Sequence, residues 1–152
     1  MRMGKRYFED LCDGEHLHCK PVVMTQDAII EFAKKYDPQP FHIDGNVASE
    51  SIFGGLIASS LHTLSACTGA IVEAQGNIAI LSGVGMHEVK MYSPVRLGDV
   101  LLVKVWWTEL KRSRSKPDRG IASIRCRVTN QQDETVTKYG YRYLIACKNF
   151  VK

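Results

Sequence analysis

The hexapeptide at residues 37–42, Asp-Pro-Gln-Pro-Phe-His, constrains this chain more than any other segment. The apolar pattern of residues 28–36 predicts a short helix before it. Each proline disfavours helical geometry at the residue that precedes it, so we predict that the helix ends at Asp37 and that the chain then runs extended. A turn stiffened in this way can hold the carboxylate of Asp37 and the imidazole of His42 around one water molecule, which is a minimal acid–base site. The alternative is plain packing, because Asp-Pro is also a common helix terminator.

Length and composition predict one globular domain over residues 1–152. A chain of this length, with 45% apolar and 24% charged residues, can bury roughly 68–70% of its unfolded surface. The first ten residues are basic and lack the apolar core of a secretory signal. The least polar stretch, residues 54–74, contains His62 and Glu73 and is too polar for a confident membrane span.

The five cysteines predict a reducing compartment. Their number is odd, and no two are spaced as Cys-x-x-Cys. This pattern favours free thiols in a cytoplasmic protein over a disulfide framework or a zinc site. We therefore expect no metal site.

A cluster of basic residues occupies residues 111–120, although the chain as a whole carries a mild net charge of +4. Three interpretations stay open: a solvated hairpin loop, a contact for an anionic ligand such as a phosphate, and a nucleic-acid surface. We expect no nucleic-acid partner, because neither a recognition motif nor an interleaved aromatic platform accompanies the charge.

The first half of the chain is predicted to be mainly helical. Residues 16–23 suggest a short first strand, and Thr25 is placed to be the N-cap of the helix that follows. Residues 44–51 fit one or two helical turns, with Asp44 as a cap. A longer helix is predicted over residues 56–73, where the side chains are small or apolar on nearly every side. A helix without a polar face is usually buried.

The second half supplies a sheet that can cover this helix. The candidate strands are residues 79–92, 100–110, 121–129 and 136–147. Alternation is clearest in the third, where Ala122 and Ile124 point one way and Arg125 the other. Trp106 and Trp107 should point to opposite faces of the second strand, with one indole in the core. We predict an α+β protein with a hot-dog fold, an antiparallel sheet wrapped around a central apolar helix.

Several segments in this order and spacing resemble the MaoC-like dehydratases, a family that includes the (R)-specific enoyl-CoA hydratases. They are residues 37–44 (DPQPFHID), 51–59 (SIFGGLIAS), 93–99 (SPVRLGD), 113–120 and 130–131. The resemblance runs from Tyr7 to about Tyr143, nearly the whole chain. Its specificity lies in the combination, since no single segment is decisive.

The resemblance implies a hot-dog fold, usually dimeric, with the site at a subunit boundary and a pantetheine-linked acyl thioester as substrate. The family's hydratase motif, Asp-x-Asn-Pro-x-His, maps Asp37 and His42 onto the catalytic pair, and Gln39 stands in the position of the asparagine. The family's oxyanion donor is a backbone N–H in the first turns of the central helix, and it maps onto Ser60.

On this resemblance we expect a homodimer that hydrates enoyl-CoA or dehydrates 3-hydroxyacyl-CoA. Asp37 and His42 would hold the attacking water, with Asp37 as the base, and the Ser60 N–H would hold the enolate oxygen. No cofactor is expected beyond the coenzyme A of the substrate. The expected substrate contacts are Gln39, Phe53, Gly55 and Ser59.

Two other functions stay open. One is an acyl-CoA thioesterase, because the hot-dog scaffold hosts both chemistries and fold alone does not fix function. Thioesterases of this fold typically place a carboxylate on the central helix, and here Glu73 comes only at its far end. The other is a non-catalytic subunit that binds acyl thioesters.

Overall fold

An antiparallel sheet wrapped around one long helix forms the body of the protein, whose computed structural model describes residues 4–148. Within these residues the strands are β1 (His16–His18), β2 (Val22–Val23), β3 (Ile80–Met91), β4 (Val100–Arg112), β5 (Arg119–Thr129) and β6 (Thr135–Ala146). The sheet order is β1-β4-β5-β6-β3, and β2 also pairs with β4. The α-helices of this part of the chain are α1 (Gln26–Tyr36), α2 (Pro40–Ile43), α3 (Gly45–Glu50) and α4 (Ser60–Gln75), and a short 3₁₀ helix spans Phe8–Asp10. The predicted hot-dog fold is confirmed.

Alternation gives the sheet a buried face and an open face. On β5, Ala122 and Ile124 are fully buried while Arg125 lies on the open face, as predicted. On β4, Trp107 is fully buried and packs edge-on against Tyr143. Its neighbour Trp106 is half-buried on the opposite face. The two-faced reading of the tryptophan pair is confirmed.

The strand predicted over residues 16–23 is two short strands, β1 and β2. The chain between them includes Pro21, which has no N–H to donate to a ladder and breaks the pairing with β4. Residues 113–118, the middle of the basic segment, form the connection between β4 and β5, and most of their side chains are exposed. A solvated hairpin loop is thus the interpretation that this segment fits.

Pro38 and Pro40 were predicted to end a helix and to keep the chain extended, and only the first effect is seen throughout. Helix α1 has Thr25 as N-cap and ends at Tyr36, as expected. The prediction that the chain then runs extended is wrong beyond Gln39, because Pro40 starts a new helical turn, α2. Proline suits the first helical position, where its fixed φ is helical and its missing N–H has no intrahelical acceptor to lose. Gln39 itself is extended, as a residue before proline should be.

The central helix begins later than predicted. Residues 56–59 are irregular, and Ile57 forms an isolated bridge with Arg96. Helix α4 starts at Ser60 because Ser59 is its N-cap and accepts a hydrogen bond from the Leu61 N–H. Asp44 caps α3 in the same way, as predicted.

The core lies between α4 and the buried face of the sheet. Burial raises the pKa of the Cys67 thiol on α4 and of the Cys126 thiol on β5 to about 12, so both stay protonated and unreactive. All five cysteines lie within residues 4–148 and are free thiols. No helix in that range has the length and apolar character that crossing a bilayer requires.

Candidate active site

The loop between α1 and α2 brings Asp37 and His42 together. Asp37 ends α1, and its backbone N–H donates to the carbonyl of Ala33 at 2.9 Å. The Gln39 N–H then donates to the Asp37 carbonyl at 2.8 Å, which forms a tight turn after the helix. The single turn of α2 carries His42 inward, where it is buried. The short helix, and not an extended run, therefore closes the space between the two side chains.

A backbone carbonyl fixes the tautomer of His42. Its Nδ1 lies 2.8 Å from the carbonyl oxygen of Ile57. A carbonyl can only accept, so Nδ1 carries the proton, and in the neutral ring Nε2 is left as a bare acceptor. That Nε2 lies 3.5 Å from Oδ2 of Asp37, and the Asp37 side chain keeps 26% of its surface exposed.

Ser59 anchors the carboxylate from the other side. Its Oγ donates to Asp37 Oδ2 at 2.6 Å, and the same Oγ accepts from the Leu61 N–H at 3.2 Å. Ser59 is fully buried, so water does not compete for its hydroxyl proton. One hydroxyl thus caps α4 and holds Asp37, which couples the position of the acid to the start of the central helix.

This arrangement leaves two acceptors facing each other. Ionised Asp37 can only accept, and neutral His42 can only accept at Nε2. At 3.5 Å the two atoms make no strong direct hydrogen bond. A molecule with two O–H donors satisfies both at once, and water is the smallest such molecule. The geometry therefore supports the hypothesis of one water held by both groups.

A cavity of about 330 Å³ opens beside His42. Its walls are mostly apolar and come from the 37–60 segment, from α4 and from the end of β3. They include Phe41, His42, Phe53, Ile57, Ser60, Thr63, Met91, Tyr92, Val95 and Val136. Ser60 is the first residue of α4, so its N–H has no intrahelical acceptor and sits at the positive end of the helix dipole. A backbone donor and an imidazole thus border one apolar cavity.

Of the other expected substrate contacts, one lines the cavity and three lie outside its lining. Phe53 lines the cavity, where its ring packs against Phe41 at 5.3 Å between centroids. Gln39 is exposed and Gly55 lies below the Arg96 guanidinium, and both are outside the cavity lining. Ser59 contacts Asp37 instead of the cavity.

Sequence reasoning did not name the far wall of the cavity. Met91 and Tyr92 end β3, and Val136 lies on β6, each far along the chain from residues 37–60. Only the segment Ser93-Pro94-Val95, which belongs to the resemblance at residues 93–99, gave a signal for this wall. The other positions look like ordinary strand residues in the sequence.

The sequence matches the family described as "MaoC like domain" over residues 8–129. Among curated proteins it is 32% identical, over 124 residues, to a 3-hydroxybutyryl-CoA dehydratase of Methylorubrum extorquens, a match that covers 79% of this chain and 72% of that protein. It is 30% identical over 102 residues to Protein MaoC of Klebsiella aerogenes; this match covers 66% of the chain but only 30% of that longer relative. A crystal structure of a MaoC-like dehydratase from Rhodospirillum rubrum superposes with a TM-score of 0.87 at 32% identity, covering 95% of this chain and 99% of that one.

Proposed function

Since this chain belongs to the MaoC-like domain family, we propose that it hydrates enoyl-CoA thioesters and, in reverse, dehydrates 3-hydroxyacyl-CoA thioesters. The observation that carries the proposal is the pair of acceptors, Asp37 Oδ2 and His42 Nε2, that face each other 3.5 Å apart, with His42 lining an apolar cavity. The five free cysteines support the cytoplasm as the compartment.

The chemistry needs one water and one acid–base cluster. Asp37 takes a proton from the bound water while the water oxygen forms the new bond to Cβ of the substrate. The electron pair of the carbon–carbon double bond moves toward the thioester, and Cα then takes a proton back from the same cluster. One water is consumed, and the enzyme gains and loses no proton overall. The hydroxyl at Cβ and the proton at Cα add to the same side of the double bond. Acid–base groups placed in this way typically contribute about 10²–10⁴-fold to the rate.

The enolate oxygen is held by the start of the central helix. The Ser60 N–H has no intrahelical acceptor and borders the cavity next to His42. Loss of one such donor in other enzymes costs roughly 2.7–4 kcal/mol of transition-state stabilisation. The coenzyme A of the substrate supplies the thioester, and no further cofactor takes part.

Ser59 acts as a positioning residue through Asp37. Changing Ser59 to alanine removes the 2.6 Å hydrogen bond to the carboxylate, so we expect kcat to fall about tenfold with little change in KM. Ser59→Thr keeps the hydroxyl and should restore most of the rate. Thr25→Ala is the matched control, because it also removes an N-cap but does not touch the site. Equal activities of Ser59→Ala and Thr25→Ala would contradict this role.

We place the subunit contact of a homodimer on β3. Among the described strands β3 pairs only with β6, so its other edge is open. Five of its apolar side chains are 39–51% exposed: Leu81, Val84, Met86, Val89 and Met91. A long apolar edge strand is a ready template for pairing with another chain. The same strand ends at the cavity wall, so a second copy there would place the site at the subunit boundary.

Charge placed on this strand should separate the subunits. We expect the double variant Val84→Lys, Met86→Lys to shift the mass measured by light scattering from dimer to monomer at micromolar concentration. Leu102→Lys is the control, since Leu102 is similarly exposed but lies on β4. A variant that stays dimeric would place the contact elsewhere.

The test of the function compares two products. A hydratase removes the ultraviolet absorbance of an enoyl thioester, such as crotonyl-CoA, without releasing thiol. A thioesterase releases free thiol, but α4 carries Glu73 only at its far end, where it pairs with Lys20. Absorbance loss without thiol is the expected result. Thiol release would revive the thioesterase, and binding without either change would favour a non-catalytic subunit.

A further inference from the structure

Four cations stand in one row across the open face of the sheet. The strand registers place Lys104 of β4 opposite Arg127 of β5, Arg127 opposite Lys138 of β6, and Lys138 opposite Lys90 of β3. Adjacent strands are about 4.8 Å apart, so this cationic row spans about 14 Å. The neighbours of Lys104 along its strand are buried, which confirms that the row faces away from the core.

This row is unfavourable for folding. Like charges directly opposite one another destabilise a sheet. Among residues 4–148 no carboxylate forms an ion pair with any of the four: the nearby Glu88 pairs with Arg125 instead. Arg127 donates to a neutral partner, the Thr135 hydroxyl, at 3.2 Å. Repulsion of this kind is relieved when an anion binds.

Three cations of the row line a groove that leads to the active site, and Lys104 lies just beyond it. The groove has a volume of about 550 Å³, and its lining includes Lys90, Arg127, Lys138, Trp106 and the ion-paired Glu88 and Arg125. Tyr92 lines both this groove and the active-site cavity, and the Lys138 ammonium stands over its ring at 5.4 Å. The cations therefore begin at the mouth of the cavity that would take the acyl chain.

We propose that this groove binds the 3′-phosphorylated adenosine diphosphate end of the acyl-CoA substrate. The inference rests on the proposed function and names how that site takes its substrate. The phosphates lie along Lys90, Arg127 and Lys138, and the pantetheine arm passes Tyr92 into the cavity. The adenine stacks on Trp106, which lies two residues along β4 from Lys104 on the same face.

The shape and chemistry of the groove favour a nucleotide over an acidic carrier protein. A phosphate monoester carries about −1.5 to −2 charge. The nucleotide end of coenzyme A therefore has enough negative charge to neutralise the row of cations. A carrier protein presents its arm through a single phosphodiester and has no adenine for Trp106. The groove is concave, and a half-buried indole beside cations suits a planar base. Backbone pairing at the open edge of β3 lies in the plane of the sheet, whereas the cationic side chains project perpendicular to it.

A binding titration tests the groove without any turnover. Adenosine 3′,5′-bisphosphate should quench the emission of Trp106, and the change should vanish in Trp106→Phe because Trp107 is fully buried. The triple variant Lys90→Gln, Arg127→Gln, Lys138→Gln should bind at least about tenfold more weakly. A matched triple, Lys5→Gln, Arg114→Gln, Lys116→Gln, removes the same charges elsewhere and should bind normally. The proposal would be overturned if both triple variants lost the same affinity for the bisphosphate. It would also be overturned if only the control triple lost saturable binding.

Kinetics then distinguish this proposal from the proposed function. In the groove triple, KM for crotonyl-CoA should rise about tenfold at unchanged kcat, and KM for crotonyl-pantetheine, which lacks the nucleotide, should not change. Equal KM values for the two substrates in the wild type would overturn the groove assignment while leaving hydration intact. If the groove triple lost activity only on crotonyl groups carried by an acyl carrier protein, the cationic row would bind that protein instead. Bisphosphate binding without hydration of either substrate would overturn the function and leave the nucleotide site standing.

Discussion

Changing Asp37 to asparagine is expected to lower kcat/KM for crotonyl-CoA hydration by about 10²–10⁴-fold. The amide keeps the shape of the side chain and still accepts the Ser59 hydrogen bond, but it cannot take a proton from water. His42→Ala should cause a loss of similar size, because it removes the second acceptor that faces the water 3.5 Å from Asp37. Steady-state absorbance assays give both values.

The controls for these variants are structural. Both should keep the wild-type circular dichroism spectrum, and His42→Ala should melt at a lower temperature, since it removes a buried side chain and leaves the Ile57 carbonyl without its partner. Asp13→Asn changes an exposed carboxylate in a turn and should leave activity unchanged. Undiminished turnover in either active-site variant would remove the proposed mechanism.

Changing Trp107 to alanine is expected to lower the free energy of unfolding by about 3–5 kcal/mol. Trp107 is fully buried, is among the largest side chains of the core and packs edge-on against Tyr143. Since small domains are stable by only about 5–15 kcal/mol, this single change should be visible as a large fall in the urea midpoint.

The adjacent tryptophan is the matched control. Trp106→Ala removes the same side chain one position earlier, but from the open face, where it is half-buried and its ring lies 5.8 Å from that of His16. We expect a loss of about 1 kcal/mol or less. Similar losses at both positions would contradict the assignment of the two faces of β4.

The fold was predictable because its signals are periodic and local. Alternation in β5 and the absence of a polar face on α4 predicted a sheet around a buried helix. The sheet covers one side of α4, but Leu61 and Val72 on that helix are more than half exposed. Helix starts were less predictable. Residues 56–59 have the apolar character of α4, yet the buried Ser59 hydroxyl caps the helix only at Ser60.

The proximity of Asp37 and His42 was predictable because the two residues are close in sequence. The prolines were expected to bring them together through an extended turn, whereas Pro40 does so by starting the helical turn that carries His42. The hydrogen bond between Ser59 and Asp37 joins residues 22 positions apart, and no local sequence pattern predicts it. The cationic row is similar: its members lie on four strands and become neighbours only once the registers are set.

A double-mutant cycle at Asp37 and His42 tests most directly whether both groups act on one water. Groups that work as a unit are strongly non-additive, because removal of either already abolishes what both accomplish. We predict that kcat of Asp37→Asn, His42→Ala is no lower than that of the slower single variant. A double variant whose loss equals the product of the two single losses would mean that the two side chains act independently, and it would contradict the shared water.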